Sequence, residues 1–202
     1  FKAERIAAQH CPELTAPRRS PPDHEAGLSR FGRRVAQVLP GLMAAFCDDV
    51  RIAASCGDIA NGSPADMLQG EDASLSHVVL SASTSDDFVL SIDRRAVFEL
   101  LDRAFGGDGR ITGDLPEALP LSGQSILARL ERALADAVAA LAPAGGMAAL
   151  TIGRRESDPA MLRAFAREEH VHRIALSIQC GETQPWTVLL LMRPAMAELL
   201  AE

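Results

Sequence analysis

The chain has 202 residues, of which 48% are hydrophobic and 23% charged, and its formal net charge is −7. This composition is typical of a globular domain and argues against nucleic-acid binding, which needs a basic excess that the chain lacks. The four cysteines show neither a C-x-x-C pair nor a Cys/His metal spacing, so we expect free thiols in a reducing cytoplasm, no metal site and no cofactor.

The first 23 residues predict a linker. A helix-like stretch, FKAERIAAQ, is followed by the proline-rich CPELTAPRRSPPD, and prolines at this density favour an unpaired chain. We therefore predict a largely disordered linker over residues 1–23 and one folded domain over 24–202. Because the sequence starts at Phe1 and not at Met, we expect a piece of a longer protein. No run approaches the roughly 18 apolar residues of a membrane span.

The first half of the domain predicts a long helix, three strands and a short helix. Apolar residues recur at helical spacing from Glu25 to Phe46, with Pro40 predicting a kink or an early end. Strands are predicted from VRIAASCGDI, SLSHVVLSAS and DFVLSID, with a polar loop over 58–71. A helix over 94–105 then ends at the glycines of FGGDGR.

The second half predicts the same order of elements. A long helix runs from about Ser122 to Leu141, followed by the strands MAALTIGRRE, HRIALSIQC and PWTVLLLM and the helix PAMAELLAE. FVLSIDRRAVFELL (88–101) aligns without a gap with TVLLLMRPAMAELL (187–200), and this offset of 99 also brings LSHVV onto IALSI. We interpret the repeat, with halves of about 24–105 and 121–202, as an internal duplication with pseudo-twofold symmetry.

The duplication predicts a fold class. Strands joined by tight turns pair antiparallel, so we expect an α/β domain of α+β type with one largely antiparallel sheet shared by both halves. The long helices are expected on one face of the sheet and the short helices elsewhere. Trp186 is expected to anchor a strand in or beside the core.

The glycine-rich segment allows three interpretations. Phosphate-binding loops place their glycines before a helix, where free N–H groups face the anion, whereas Gly106, Gly107 and Gly109 follow a helix. A helix cap explains Gly106 and leaves Gly109 unexplained. We therefore weigh a structural cap against a loop that lets another protein approach the backbone closely.

Three segments carry a family resemblance. LSRFGRRVAQVL, LSIDRRAVFELLDRAFGGDGR and RRESDPAMLRAF, in this order, resemble the middle domain of the FliM family of flagellar motor switch proteins, over residues 24–200. The resemblance implies the CheC-like fold, a pseudo-twofold α/β/α domain without enzymatic activity. It also implies a place in the flagellar C-ring, at the cytoplasmic face of the inner membrane, in chemotaxis and motility.

The resemblance further implies partners. The family's Gly-Gly-x-Gly loop faces the middle domain of the rotor protein FliG, and relays the chemotactic signal to the direction of rotation. Neighbouring FliM copies, FliN and phospho-CheY are implied as well, the last two through segments that this sequence does not show. The loop positions carried over are Phe105, Gly106, Gly107, Asp108, Gly109 and Arg110, with Phe105 as the buried anchor and Asp108 and Arg110 as polar contacts.

An enzyme of the same fold is the rival interpretation. CheC and CheX resemble this domain and are response-regulator phosphatases that use a Glu-x-x-Asn pair on one helix face. The one asparagine of this sequence, Asn61, has no Glu three residues before it, so that mechanism is excluded. In this chain Gln124 stands near the position of a family Glu. An orphan adaptor that kept the fold is the third interpretation.

Two further groups of side chains have alternative roles. Arg30, Arg33 and Arg34 form either a solvated helix face or a lateral contact between copies, because Arg is favoured at interfaces. His170 and His172 share one face of a strand, but the sequence supplies no further ligands for a metal, and ordinary polar residues are the expected role.

Overall fold

The computed structural model describes residues 24–47, 51–68, 75–82, 87–116, 118–143, 150–156, 158, 164–166 and 169–202. The linker predicted over 1–23 and part of the segment RRESDPAMLRAF lie outside the described residues. None of the described helices is long and apolar enough to cross a membrane.

Both halves contain the predicted helices and strands in the predicted order, and the first half has one additional short helix that was not predicted. The first half consists of α1 (His24–Met43), β1 (Ile52–Gly62), the short α2 (Pro64–Leu68), β2 (Leu75–Ala82), β3 (Asp87–Asp93) and α3 (Arg94–Ala104). The second half consists of α4 (Leu121–Leu141), β4 (Leu150–Glu156), β5 (Val171–Cys180), β6 (Trp186–Met192) and α5 (Pro194–Ala201). Helix α1 continues past Pro40 for three more residues.

The polar loop predicted over 58–71 is wrong, because β1 continues to Gly62 and α2 follows it. The Ser63 hydroxyl accepts a hydrogen bond from the Asp66 N–H at 3.2 Å, and Pro64 occupies the first helical position. A serine cap followed by proline is a helix start signal. Helix α2 begins at this signal and buries the side chains of Met67 and Leu68.

The six strands form one antiparallel sheet in the order β1-β5-β6-β3-β2-β4. Exchanging β1 with β4, β5 with β2 and β6 with β3 gives the same order in reverse. The pseudo-twofold axis therefore passes between the two central strands, β3 and β6, and the predicted duplication is confirmed.

The gapless offset of 99 holds only in the long helices, where Leu28 and Leu127 occupy equivalent buried positions. In the short helices the buried residues Val97 and Ala197 correspond, an offset of 100. The central strands β3 and β6 share this offset of 100, because Leu90 pairs with Leu190 across the pseudo-twofold axis. An offset of 99 would turn equivalent side chains to opposite faces of the sheet.

The outer strands have a third offset. Val78 lies opposite Leu90, and Ile174 lies opposite Leu190, so β2 and β5 correspond at an offset of 96. The alignment of LSHVV with IALSI is therefore wrong. Both edge strands interrupt their pairing at the equivalent place, between Cys56 and Ile59 in β1 and between Ile152 and Arg155 in β4.

The main core lies on one face of the sheet, under all four of the longer helices. Side chains of α3 and α5 join those of α1 and α4 in this cluster, so the short helices cover the same face as the long ones. The opposite face carries a smaller cluster in which α2 and Ala164 cover Val89, Leu189 and Leu191. Trp186 is buried in the main core, as predicted.

The described cysteines Cys47, Cys56 and Cys180 carry thiols that form no disulfide. The sulfur atoms of the buried Cys47 and Cys180 lie 3.9 Å apart, so the two thiols connect the segment after α1 with the end of β5. Cys11 lies outside the described residues.

Candidate functional site

The site begins at the last turn of α3. The Gly107 N–H donates to the Asp102 carbonyl at 2.9 Å, and the Gly106 N–H donates to the Arg103 carbonyl at 2.9 Å. Gly106 has a φ of 86°. This pair of bonds around a left-handed glycine is the Schellman motif, so the structural cap predicted for Gly106 is confirmed.

The other two glycines each have a local reason. A Cβ at position 107 would overlap the carboxylate of Asp102. Gly109 has a φ of 80°, and a Cβ there would lie 2.5 Å from Nε of Arg103. Each glycine therefore has a local structural reason that is independent of what the loop binds: a left-handed backbone at Gly106 and Gly109, and the nearby Asp102 carboxylate at Gly107.

Phe105 is not the buried anchor predicted for the loop, because its side chain is 81% exposed. Asp102 anchors the loop instead: its Oδ2 atom accepts the Gly109 N–H at 2.9 Å. The Schellman turn rotates the chain end so that Phe105 points away from the core, and the loop is held by polar groups of α3.

A buried polar cluster joins the base of this loop to the sheet. The Arg103 guanidinium donates to the Cys180 carbonyl at 3.1 Å and lies 3.4 Å from the Glu99 carboxylate. The Thr183 hydroxyl donates to Glu99 at 2.9 Å. Burial raises the pKa of Glu99, against the opposing effect of Thr183 and Arg103. The glycine loop is thereby fixed to the turn between β5 and β6.

The polar residues of the loop tip, Asp108 and Arg110, are exposed. The Asp108 carboxylate accepts the Arg110 N–H at 2.9 Å, which holds the tip in a local turn. The Arg110 guanidinium reaches Glu182 at 3.1 Å and Asp108 at 3.6 Å. The loop therefore presents one apolar ring beside a small set of charges.

Replacing Gly109 by alanine should lower the free energy of unfolding by about 2 kcal/mol, because the new Cβ both strains a left-handed residue and displaces Arg103. Gly113 is the matched control: its φ is 88° and a Cβ there would meet nothing within 4 Å. Gly113→Ala should cost about 1 kcal/mol from strain alone. Urea unfolding of both variants gives the difference, and equal losses would contradict the packing argument.

The predicted arginine face is partly engaged within the chain. Arg30 donates to the Ala201 carbonyl at 3.2 Å and so caps the end of α5. Arg33 donates to the Ser29 carbonyl and hydroxyl, both at 3.2 Å. Arg30, Arg33 and Arg34 are all exposed.

His170, which directly precedes β5, and His172, within β5, lie near a third histidine. The rings of His170 and His172 lie 6.3 Å apart, and the ring of His24 lies 5.8 Å from that of His172. Burial and the two neighbouring rings lower the pKa of His172. Among the described residues no group of His, Cys, Asp or Glu has the geometry to hold a metal ion.

Two buried polar pairs were not predicted from the sequence, one at the β4 edge of the sheet and one on the face opposite the main core. The Glu131 carboxylate, 1% exposed, accepts hydrogen bonds from Nε of Arg155 at 2.7 and 2.8 Å. His77 and Ser91 lie directly opposite each other on β2 and β3, with Nδ1 and Oγ 2.7 Å apart and both residues buried. In the sequence, the signal for each pair is a charged or polar residue inside the otherwise apolar pattern of a helix or strand.

No protein-family model matches this chain, and no curated protein matches it either. Solved structures do match. One chain in the crystal structure of the FliG–FliM complex from H. pylori is 16% identical, with a TM-score of 0.76 over 90% of this chain and 99% of that chain.

Two further structures are similar. The FliM middle domain from H. pylori is 14% identical, with a TM-score of 0.72 over 89% of this chain and 97% of its own. The FliM middle domain from Vibrio alginolyticus is 14% identical, with a TM-score of 0.70 over 85% of this chain and 96% of its own. The resemblance drawn from the sequence is thus confirmed at the level of the fold, which is that of the FliM middle domain.

Proposed function

We propose that this chain is a non-enzymatic flagellar motor switch component that docks FliG through its glycine loop, residues 105–110. The fold supports this proposal, because a structure of the same fold is a FliG–FliM complex. The observation that carries it is the exposure of Phe105. A rigid loop that holds an aromatic ring in solvent has the form of a binding hot spot, in which burial of one apolar side chain supplies much of the affinity.

The loop is suited to docking in two further ways. Its glycines keep side chains away from the backbone, so a partner can reach the peptide groups closely. Its bonds to Asp102 hold the tip in one conformation before binding, which reduces the entropy lost on association. Phe105 would form the apolar centre of the contact, with Asp108 and Arg110 as its polar rim.

Signal relay is proposed to use the polar cluster beneath the loop. Arg103 contacts both Glu99 on α3 and the carbonyl at the end of β5. A displacement of the loop would therefore be passed to the β5–β6 turn through hydrogen bonds, without a change in the core. Lateral contacts with neighbouring copies in the C-ring are proposed for Arg33 and Arg34, whereas Arg30 mainly caps α5.

No observation favours a phosphatase of the CheC type. Asn61 lies on β1 opposite His172, and neither α1 nor α4 contains an asparagine. The partners FliN and phospho-CheY, and a location at the cytoplasmic face of the inner membrane, belong to the same proposal.

The proposal predicts that Phe105→Ala weakens FliG binding about thirtyfold, because roughly 2 kcal/mol of apolar burial is lost. The control is Leu121→Ala, whose side chain is 82% exposed and equally apolar. Titration calorimetry with FliG from the same organism measures both affinities, and circular dichroism checks that both variants keep the wild-type melting temperature. Wild-type affinity of Phe105→Ala would overturn the docking role of the loop.

A glycine substitution would be a poorer test. A side chain at position 107 would displace the Asp102 carboxylate that anchors the loop. Loss of binding by such a variant would then report a damaged loop as readily as a lost contact, whereas Phe105→Ala leaves every hydrogen bond of the loop in place.

A further inference from the structure

A cavity of about 210 Å³ lies directly beside the glycine loop. Its walls come from α3, from the segment after the glycines and from the β5–β6 turn, and they include Arg95, Glu99, Arg110, Glu182 and Gln184. Pockets for small-molecule ligands are usually larger, upward of about 300 Å³. This size fits a single side chain from a partner better than a separate ligand.

The acidic groups of the cavity are already paired. Glu99 is held by Arg103 and Thr183, and Glu182 is held by Arg110. The Arg110–Glu182 pair is exposed on both sides, and such surface pairs contribute little and exchange easily. A carboxylate of a partner can therefore replace Glu182 as the acceptor of the Arg110 guanidinium, at a small cost in free energy.

Arg95 is the cationic group without an acidic partner. Its guanidinium donates to the amide oxygen of Gln184 at 3.3 Å, and within the described part of the chain no carboxylate pairs with it. A guanidinium forms its strongest contact with a carboxylate, by two parallel hydrogen bonds. The cavity thus has one strong donor group that the chain itself leaves for another molecule.

We propose, building on the docking role of the loop, that this cavity is a second contact for the same partner and receives one of its acidic side chains. Arg95 binds the carboxylate, and Arg110 turns from Glu182 to close over it. The docking surface is then bipartite: the Phe105 ring gives apolar affinity, and the cavity selects a partner with a carboxylate at the matching distance.

The test is calorimetric titration of the full 202-residue chain with FliG at two salt concentrations. Arg95→Gln should weaken binding about tenfold and reduce its salt dependence, and Arg95→Glu should weaken it further. Arg129→Gln is the charge-matched control, because it removes the same charge from the exposed face of α4, an element that contributes no residue to the cavity wall. It should stay within about twofold of wild type.

The partner side is tested by replacing surface carboxylates of FliG one at a time by alanine. One of these changes should weaken binding to the wild-type chain and have no effect on Arg95→Gln, as expected for two groups in direct contact. If Arg95→Gln binds as Arg129→Gln does, the cavity contact is overturned while a loss for Phe105→Ala still supports docking. If Phe105→Ala binds normally, the docking role fails and this inference fails with it.

Discussion

Arg155→Met should lower the free energy of unfolding by about 3 kcal/mol at pH 7, because it leaves the carboxylate of Glu131 buried without a counter-charge. Glu131 is 1% exposed on α4, and Arg155 supplies its hydrogen bonds from the edge strand β4. Methionine keeps most of the apolar stem of Arg155, so the loss reports the missing guanidinium. Urea unfolding of the variant and the wild type at pH 7 measures this loss in the free energy of unfolding.

The opposite variant is the control for this pair. Arg155 is 43% exposed, so Glu131→Gln leaves a guanidinium that can reach water, and we expect a loss of about 1 kcal/mol. Burial raises the pKa of Glu131, against the opposing effect of Arg155. The deficit of Arg155→Met should therefore shrink between pH 7 and pH 5, as the carboxyl takes up a proton. A deficit independent of pH would contradict the buried-charge explanation.

Acid should destabilise the domain through His77. Burial lowers the pKa of His77 to about 4 in the folded state, against about 6.5 in the unfolded chain. As the pH falls from 6.5 to 4, the unfolded chain binds a proton that folded His77 does not. The free energy of unfolding should therefore decrease over this window, by up to about 3 kcal/mol from this residue.

The double variant His77→Leu/Ser91→Ala isolates that effect. Removing both members of a buried hydrogen-bonded pair is close to neutral at pH 7.5, where His77 is uncharged in either state. At pH 4.5 the variant should be about 2 kcal/mol more stable than the wild type. Urea unfolding of both proteins at both pH values measures this difference. Other groups, such as Glu169 and His172, titrate equally in the two proteins and cancel in the comparison. Parallel pH profiles would show that His77 does not control the acid response.

The order of helices and strands was predictable because each element has a strong local signal. Strand β3 was predicted with its observed bounds, and α4 was placed within one residue, since apolar periodicity and flanking prolines both mark it. Helix α2 was missed because its signal, Ser63 followed by Pro64, is only two residues long. The offset of 99 was misleading because leucines and alanines align easily, whereas burial and strand pairing require offsets of 96 and 100 in the strands.

The candidate site was only partly predictable. Gly106 was identified as a helix cap because its position after α3 determines that role. The prediction that Phe105 is buried was wrong because the Schellman turn at the end of α3 directs its side chain into solvent. The Asp102 carboxylate anchors the loop instead, and its reach to Gly109 leaves no signal in the residue spacing. The cavity beside the loop combines residues of α3 with residues of the β5–β6 turn, which only the sheet order brings together.

The sheet order also determines how this chain can fold. The edge strand β1 has β5 as its neighbour, so it has no partner until the ribosome has made most of the second half. Helix α1 likewise packs against α5, where Gly27 lies so close to Ala201 that no side chain fits between them. Contacts of such long sequence separation slow folding. The two repeats therefore fold as one cooperative unit, because the edge strand of each half pairs with a strand of the other half.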